Sequence, residues 1–339
     1  MPDRVLVTGA TGFVGGWCVA QLLARGYQVR AVVRDPAKAD RVRAAVQPIA
    51  GDTDRLEFAR ADLLSDDGWD PAMAGVDLVV HVAAQMSLAD DQDPRRLLEV
   101  ARDGSGRVLS AATRAGVRRV VMTSAANAAS HSSYTVEDVS DETLWTDPDD
   151  PDLIPYRRAK TLAERAAWRF AETTPGAPEL TTVLPGAVFG PVLSGDAVGS
   201  VSIIARMLDG TMPWVPRIGL EVVDVRDLAD LHIRALESPA AAGERFLGTG
   251  EFLWMRDIAQ TLRAELGPAA DRVSTRPAPD FLIRLAARRI PALRELAPAL
   301  GRKNRHSTAK AHELLDWQAR PARRTITDCG RSLLEHGLV

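Results

Sequence analysis

A tyrosine and a lysine four residues apart could carry out proton transfer. Tyr156 and Lys160 open the stretch YRRAKTLAERAAWRFAETT, whose helical spacing of apolar residues places both side chains on one helix face. With three tyrosines and four lysines in the chain, such a pair is rare by chance. An ammonium beside a phenol favours the phenolate and lowers its pKa from about 10. The tyrosine could then exchange a proton with a carbonyl or alcohol while hydride moves to or from a nicotinamide.

A glycine-rich turn near the N-terminus could hold the pyrophosphate of a dinucleotide. Gly9, Gly12 and Gly15 stand between a strand-like run and a helix-like run. Glycine permits a tight turn and a close backbone approach, and a helix N-terminus offers unpaired N–H groups to phosphate. The spacing of three and three differs from the two-then-three of the general fingerprint. A glycine turn without a ligand is the alternative interpretation.

The end of the second predicted strand bears on the choice between NAD and NADP. An acidic residue there would accept the ribose 2′-hydroxyl of NAD. This chain has Val33 at that position, followed by Arg34, with Lys38 four residues further on. A guanidinium can pair with a 2′-phosphate and stack on adenine. The pattern therefore predicts NADP(H), although Asp35 could serve the ribose of NAD and a solvated charged turn is a further alternative.

Alternating strand-like and helix-like segments must position these residues. Apolar strand runs at 4–10, 27–34, 56–63, 76–84 and 117–125 alternate with amphipathic helical segments, and one further buried strand is predicted at 180–191. This order predicts an α/β fold with a doubly wound parallel sheet covered on both faces.

We expect two structural units, because the pattern becomes less regular after Pro191. An NADP-binding Rossmann domain is predicted at 1–190, with 221–245 returning to it. A smaller, mixed substrate-binding lobe is predicted at 191–220 and 246–339.

Composition fits an ordinary globular protein and argues against several classes of function. The chain has 339 residues, 46% of them hydrophobic, and a net charge of −3, so neither a nucleic-acid partner nor a membrane partner is expected. No apolar run approaches the roughly 20 residues of a spanning helix, and the N-terminus lacks signal-peptide features. Two cysteines fit a reducing compartment, and we expect a cytoplasmic protein. The six histidines show no metal-ligand spacing, so no metal is expected.

Together these motifs resemble the extended short-chain dehydrogenase/reductase family. The resemblance covers nearly the whole chain, through TGATGFVGG, RAVVRDPAK, HVAA, RRVVMTSA, YRRAKTLAERAAW, LPGAVFGP and VDVRDLA. Within the family, the chain is similar to the branch of dihydroflavonol reductases, cinnamoyl-CoA reductases and NADPH-dependent aldehyde and ketone reductases. The resemblance implies NADP(H) as cofactor and a small carbonyl or alcohol as substrate.

The resemblance also assigns roles to individual residues. Tyr156 and Lys160, with Ser124, form the predicted catalytic set; Asp62 and Leu63 would hold the adenine. The predicted cofactor-binding residues are Gly9, Thr11, Gly12, Phe13, Val14, Gly15, Arg34, Lys38, Asp62, Leu63, Val82, Ala83, Ala84, Met86, Thr123, Tyr156, Lys160, Pro185 and Val188.

One position departs from the family pattern. The family has Thr-Ser-Ser after the fifth strand, and its second serine bonds the substrate oxygen, whereas this chain has Thr123-Ser124-Ala125. Since side chains alternate along a strand, Asn127 would share the face of Ala125, and Ser124 would point away unless the strand end bends. Both remain candidates for the missing donor, whose loss can cost on the order of 10²–10³ in rate.

Three functions stay open at this point. An NADPH-dependent reductase of aldehydes or ketones is favoured, a nucleotide-sugar epimerase is the enzymatic alternative, and Ala125 keeps open a non-catalytic NADP(H)-binding sensor. The retained pair Tyr156 and Lys160 favours an enzyme. The resemblance further implies a homodimer through the helices at 95–115 and 156–173, whose apolar stripes could equally pack inward.

Overall fold

A parallel β-sheet covered by helices forms the centre of the computed structural model, which describes residues 3–84, 94–132, 137–194 and 199–339. In chain order the strands are β1 (Arg4–Thr8), β2 (Gln28–Val33), β3 (Leu56–Arg60), β4 (Leu78–His81), β5 (Arg119–Thr123), β6 (Val139–Ser140), β7 (Glu179–Pro185), β8 (Ala187–Phe189), β9 (Gly219–Asp224), β10 (Arg245–Gly248), β11 (Phe252–Trp254) and β12 (Arg305–His306). The helices are α1 (Phe13–Ala24), α2 (Ala39–Ala50), α3 (Trp69–Met73), α4 (Pro94–Ala115), α5 (Pro155–Thr173), α6 (Val201–Leu208), α7 (Val225–Glu237), α8 (Met255–Leu266), α9 (Asp280–Ala286), α10 (Pro291–Leu296), α11 (Ala309–Leu315) and α12 (Ala322–Glu335).

The main sheet has seven parallel strands in the order β3-β2-β1-β4-β5-β7-β10. One apolar cluster packs α1, α2 and α7 against one face, and another packs α3, α4 and α5 against the opposite face. Burial on both faces explains why these strands are continuous apolar runs rather than alternating ones. The predicted doubly wound α/β fold is confirmed.

The order of the strands reverses between β1 and β4, which are neighbours in the sheet. Because successive strands spread to opposite sides from this point, the loops after β1 and β4 diverge and leave a crevice at the carboxyl ends of the strands. Ligands of open α/β sheets bind in such a crevice.

The turn from β1 into α1 contains two glycines at which a side chain would clash with backbone atoms. Gly9 has a φ of +73°, and a Cβ there would lie 2.9 Å from the backbone nitrogen of Ala83. A Cβ on Gly15 would lie 2.2 Å from the carbonyl oxygen of Gly9. The first turn of α1 therefore packs directly on the glycine turn.

A second, smaller unit contains the three-stranded sheet β11-β9-β8 and an apolar core shared by α6, α8 and α12. The single strand predicted at 180–191 is wrong: it divides at Gly186 into β7 of the main sheet and β8 of the small sheet. Gly186 permits the crossing, because a Cβ there would lie 2.5 Å from the carbonyl oxygen of Glu221.

Segments of the two units alternate along the chain. Within 221–245, α7 packs on the main sheet and β10 begins at its edge, but β9 belongs to the small sheet. Near the C-terminus, Trp317 is 2% exposed in the main core, and its indole nitrogen donates to the carbonyl oxygen of Asp227 at 2.7 Å. Trp317 thus packs in the main core although it lies within 246–339, and the division into a cofactor domain and a substrate-binding lobe stays a prediction.

The helices implicated in a homodimer, α4 and α5, pack against each other. Val108 and Leu109 of α4, and Ala167 of α5, are buried in the core beneath them, so this part of the apolar stripes packs inward. Leu97 and Leu98 lie outside the described side chains. The homodimer stays a prediction.

We expect Gly15→Ala to destabilise the protein and Gly16→Ala not to. The first substitution places a methyl group 2.2 Å from a backbone oxygen, whereas a Cβ on Gly16 meets Leu193 Cδ1 at an ordinary 3.5 Å. Gly15→Ala should cost about 1–3 kcal/mol, while Gly16→Ala should be neutral or gain up to about 1 kcal/mol from helix propensity. Urea unfolding measures both, and equal stabilities would contradict the packing described here.

Candidate active site

A cavity of about 430 Å³ opens at the carboxyl ends of the main-sheet strands. Of the residues predicted from sequence, the cavity is lined by Gly9, Thr11, Gly12, Phe13, Val14, Gly15, Arg34, Asp62, Leu63, Val82, Ala83, Ala84, Thr123, Ser124, Tyr156, Lys160, Pro185 and Val188. Lys38 lies outside this lining, and Met86 lies outside the described residues. The structure thus brings together the glycine turn and the tyrosine–lysine pair, which are separated by more than 140 positions in the chain.

The glycine turn presents backbone donors to the cavity. Gly12 precedes α1 without a side-chain cap, so the N–H groups of the first helical turn have no side-chain partner there. Thr8 Oγ1 accepts a hydrogen bond from the backbone nitrogen of Ala83 at 3.0 Å and contacts His81 Nδ1 at 2.8 Å. These bonds join the ends of β1 and β4 beneath the turn. Such an arrangement suits a pyrophosphate group.

Cationic residues flank the turn on two sides. Arg34 lines the main cavity, whereas Lys38 lines an adjoining pocket of about 220 Å³ together with Arg41. Thr11 and Gly12 border both spaces. Arg41 was missed from the sequence, although its position three residues after Lys38 placed it near the same surface.

The competing acidic residue after β2 caps a short turn. Asp35 Oδ1 accepts a hydrogen bond from the backbone nitrogen of Ala37 at 3.0 Å and so caps the short turn at 36–38. Asp35 is not among the described residues that line the cavity.

Several residues that line the cavity were not predicted from the sequence: Thr8, Val32, Ala61, Trp69, Gly186, Gly199 and Ser200. Thr8 closes β1 and Ala61 follows β3, so a search of strand ends would have found both.

Tyr156 and Lys160 stand at the start of α5, whose first residue is Pro155. Burial raises the pKa of Tyr156 above its usual value. Burial also lowers the pKa of Lys160 to about 8, and the nearby carboxylate of Glu164 opposes that shift. The predicted lowering of the phenol pKa is therefore wrong for this structure, because burial disfavours the charged phenolate.

The Thr123 hydroxyl donates its proton away from the cavity. His232 Nδ1 lies 2.7 Å from the carbonyl oxygen of Leu228, which can only accept, so this nitrogen carries a proton. Burial lowers the pKa of His232 to about 4, so the ring is neutral at pH 7 and Nε2 is an acceptor. The Thr123 hydroxyl, 2.7 Å from Nε2, is therefore the donor of that bond.

The Ser124 hydroxyl also donates its proton to a buried acceptor. Its Oγ donates to Glu164 Oε2 at 2.6 Å, and both residues are buried. A serine has a single hydroxyl proton, and an ionised carboxylate can only accept. Ser124 therefore cannot donate to a substrate oxygen in this arrangement, and its predicted role as the substituted catalytic serine is not supported by the geometry.

The second candidate donor, Asn127, does not lie where strand alternation placed it. β5 ends at Thr123, and residues 126–129 form a short 3₁₀ turn, so the period of two does not extend that far. Neither Ala125 nor Asn127 is among the described residues lining the cavity. The Asn127 carbonyl oxygen accepts from Thr146 Oγ1 at 2.7 Å, which fixes the turn.

Among the residues that the structure describes, no group of three or more histidine, cysteine, aspartate or glutamate side chains is placed to hold a metal ion. None of the described helices combines the length and the apolar character needed to cross a membrane.

Comparison with known proteins assigns the family. Residues 5–247 match the model of the NAD dependent epimerase/dehydratase family. The chain belongs to this family. The assignment confirms the resemblance to the extended short-chain dehydrogenases/reductases and the prediction of a nicotinamide dinucleotide-dependent enzyme.

Curated relatives of this family member include reductases. Cinnamoyl-CoA reductase 1 of Oryza sativa subsp. japonica is 39% identical over 268 residues, which cover 78% of this chain and 76% of the relative. Dihydroflavonol 4-reductase of Zea mays is 34% identical over 266 residues, covering 76% and 73%.

A solved structure has the same fold as this family member. The crystal structure of Gre2 from Candida albicans in complex with NADPH superposes with a TM-score of 0.81 at 24% identity, over 99% of each chain. At this identity, the likeness concerns the fold.

We expect Ala125→Ser and Asn127→Ala each to change turnover little, because neither position is among the described residues that line the cavity. Steady-state kcat on a carbonyl substrate measures both variants. A gain of about tenfold or more in Ala125→Ser would contradict this geometry and show that a hydroxyl at position 125 reaches the substrate. A large loss in Asn127→Ala would show that Asn127 supplies the missing donor.

Proposed function

We propose that the protein is an NADPH-dependent reductase of an aldehyde or ketone, with Tyr156 as the general acid. One observation carries the proposal: Tyr156 and Lys160 line the same cavity as the glycine turn and Arg34. A dinucleotide whose pyrophosphate lies at the turn can therefore extend towards the phenol. The printed names of the curated relatives, which are reductases, favour this reaction over epimerisation.

The residues of the cavity fit a nicotinamide dinucleotide. The uncapped start of α1 would hold the pyrophosphate, Asp62 and Leu63 would border the adenine, and Pro185 with Val188 would border the nicotinamide. When bound, the cofactor supplies the hydride.

Tyr156 supplies the proton in this mechanism. Because burial raises its pKa, the phenol stays protonated at neutral pH, as an acid for carbonyl reduction must. Lys160, whose pKa is about 8, is mostly protonated at pH 7 and stabilises the phenolate left after proton transfer. The same ammonium can donate to a ribose hydroxyl of the cofactor.

The preference for NADPH is proposed from the cationic groups at the end of β2. Arg34 lines the cavity itself, and Lys38 with Arg41 lines the pocket that shares Thr11 and Gly12 with it. A 2′-phosphate between these groups would accept charge-assisted hydrogen bonds. The Candida albicans structure of the same fold contains NADPH.

We expect Tyr156→Phe to reduce turnover at least about 100-fold, because it removes the general acid. The assay follows NADPH oxidation with a panel of aldehydes, ketones and nucleotide sugars. Tyr27→Phe is the matched control, since the Tyr27 hydroxyl bonds Glu237 at a surface remote from the cavity lining, and it should retain full activity. Near wild-type turnover in Tyr156→Phe would refute the mechanism. A wild type that binds NADPH but reduces nothing in the panel would favour the sensor.

We expect Arg34→Ala to weaken NADPH binding and to leave NADH binding nearly unchanged. A charge-assisted contact with the 2′-phosphate contributes about 1.5–3 kcal/mol, which is roughly 10- to 150-fold in affinity. Fluorescence titration gives Kd for both cofactors. Arg25→Ala serves as control, because Arg25 pairs with Asp230 away from the cavity. Equal losses of affinity for both cofactors in Arg34→Ala would show that Arg34 does not bind the 2′-phosphate.

A further inference from the structure

A buried carboxylate lies one helical turn beyond Lys160. Glu164 is 0% exposed, and its two oxygens accept hydrogen bonds from Ser124, Thr182, Arg245 and Trp168. Oε2 accepts from Ser124 Oγ at 2.6 Å, and Oε1 accepts from Thr182 Oγ1 and from Arg245 Nε, both at 2.8 Å. An ionised carboxylate has no proton to donate, so each of these partners must be a donor.

The cation that pairs with Glu164 is itself held in place. Arg245 is 7% exposed and donates to the carbonyl oxygens of Glu142 at 2.6 Å and Leu144 at 2.9 Å. Its guanidinium stacks 3.7 Å from the ring centroid of Trp145. The Glu164–Arg245 pair therefore joins α5, β10 and the loop at 142–145 in one buried network.

This network determines how Ser124 meets the cavity. Ser124 Oγ gives its one proton to Glu164, so only its lone pairs are left for another partner. Ser124 lines the cavity together with Lys160 and Tyr156. Any group that bonds Ser124 from the cavity must be a donor, such as a ribose hydroxyl, a carboxamide N–H or the Lys160 ammonium.

We propose that Glu164 is a positioning residue: it fixes Ser124 as a hydrogen-bond acceptor facing the cofactor cavity, and its carboxylate on the next turn of α5 is the counter-charge of the Lys160 ammonium. The acceptor role of Ser124 towards NADPH rests on the proposed function, whereas the effect of Glu164 on Lys160 does not. Glu164 itself is not among the residues lining the cavity.

The charges near Lys160 give the direction of each expected change. Among the described residues, Glu164 on α5 acts on Lys160 directly, His81 at the end of β4 is affected by the Lys160 charge, and Arg245 on β10 acts through its ion pair with Glu164. His81 is neutral above about pH 4, because burial lowers its pKa to about 4. Removing the Glu164 charge should make Lys160 easier to deprotonate, and removing the Arg245 charge should make it harder.

The test is a titration of Lys160 in the protein without cofactor or substrate. With only four lysines in the chain, ε-¹³C-lysine labelling gives few NMR signals, and Lys160→Arg identifies the one from Lys160. In Glu164→Gln the Lys160 midpoint should fall by about one pH unit, and in Arg245→Gln it should rise. The signals of Lys38 and Lys303 should not move.

Opposite shifts in the two variants would support the proposal. Shifts of the same sign, or unchanged midpoints with lowered unfolding temperatures, would show that Glu164 acts only in folding and would overturn it. If Glu164→Gln fails to fold, Arg245→Gln decides alone: a rise supports the proposal, and no change overturns it.

Ser124→Ala and Thr182→Val test the acceptor role. Each removes one hydroxyl bond to Glu164, but only Ser124 lines the cavity, whereas Thr182 is fully buried on β7. NADPH binding should weaken roughly fivefold in Ser124→Ala and stay unchanged in Thr182→Val. Equal Kd values in the two variants would overturn the acceptor role. A wild type that binds no NADPH would refute the proposed function and leave the Lys160 titration standing.

Discussion

The close packing of three backbone segments at the end of β1 is the constraint on which the cavity depends. Gly9 lies against Ala83, two residues beyond the end of β4, and Gly15 in the first turn of α1 packs on Gly9. A side chain at either glycine would separate the helix from the sheet. Because the segments touch, the helix N-terminus opens into the crevice between β1 and β4, and the groups that follow β2, β3, β5 and β7 line the same space.

Buried partners then determine whether each polar group in that cavity acts as a hydrogen-bond donor or as an acceptor. The hydroxyls of Thr123 and Ser124 both face acceptors that cannot donate, a neutral imidazole nitrogen and a carboxylate. Tyr156, with its pKa raised by burial, keeps its phenolic proton. Beside Tyr156, which keeps its proton, Thr123 and Ser124 therefore face the cavity with only their acceptor lone pairs free. This division of roles suits a site in which the phenol gives its proton to one oxygen.

The sequence was sufficient for features that depend on neighbouring residues. Continuous apolar runs predicted the parallel sheet, and the glycine spacing and the pair Tyr156 and Lys160 predicted what would gather at its edge. Features set by distant partners were not predictable. The proton of Ser124 is directed by Glu164, 40 positions away, and the strand break at Gly186 depends on Glu221 lying against it. The phenol pKa was predicted with the wrong sign, because a short motif shows the neighbouring charge but not the surrounding burial.

The position of Trp317 in the main core limits where chimeras of this chain and a relative can be joined. Its indole lies against α7, and Arg320 pairs with Asp227 on the same helix, so the segment between α11 and α12 is part of the Rossmann core although it follows most of the smaller unit. A chimera that takes its smaller unit from a relative would have to leave this segment with the parent of α7. A junction placed by chain order alone would separate Trp317 from the surface on which it packs, and the unit around the main sheet would lose part of its own core.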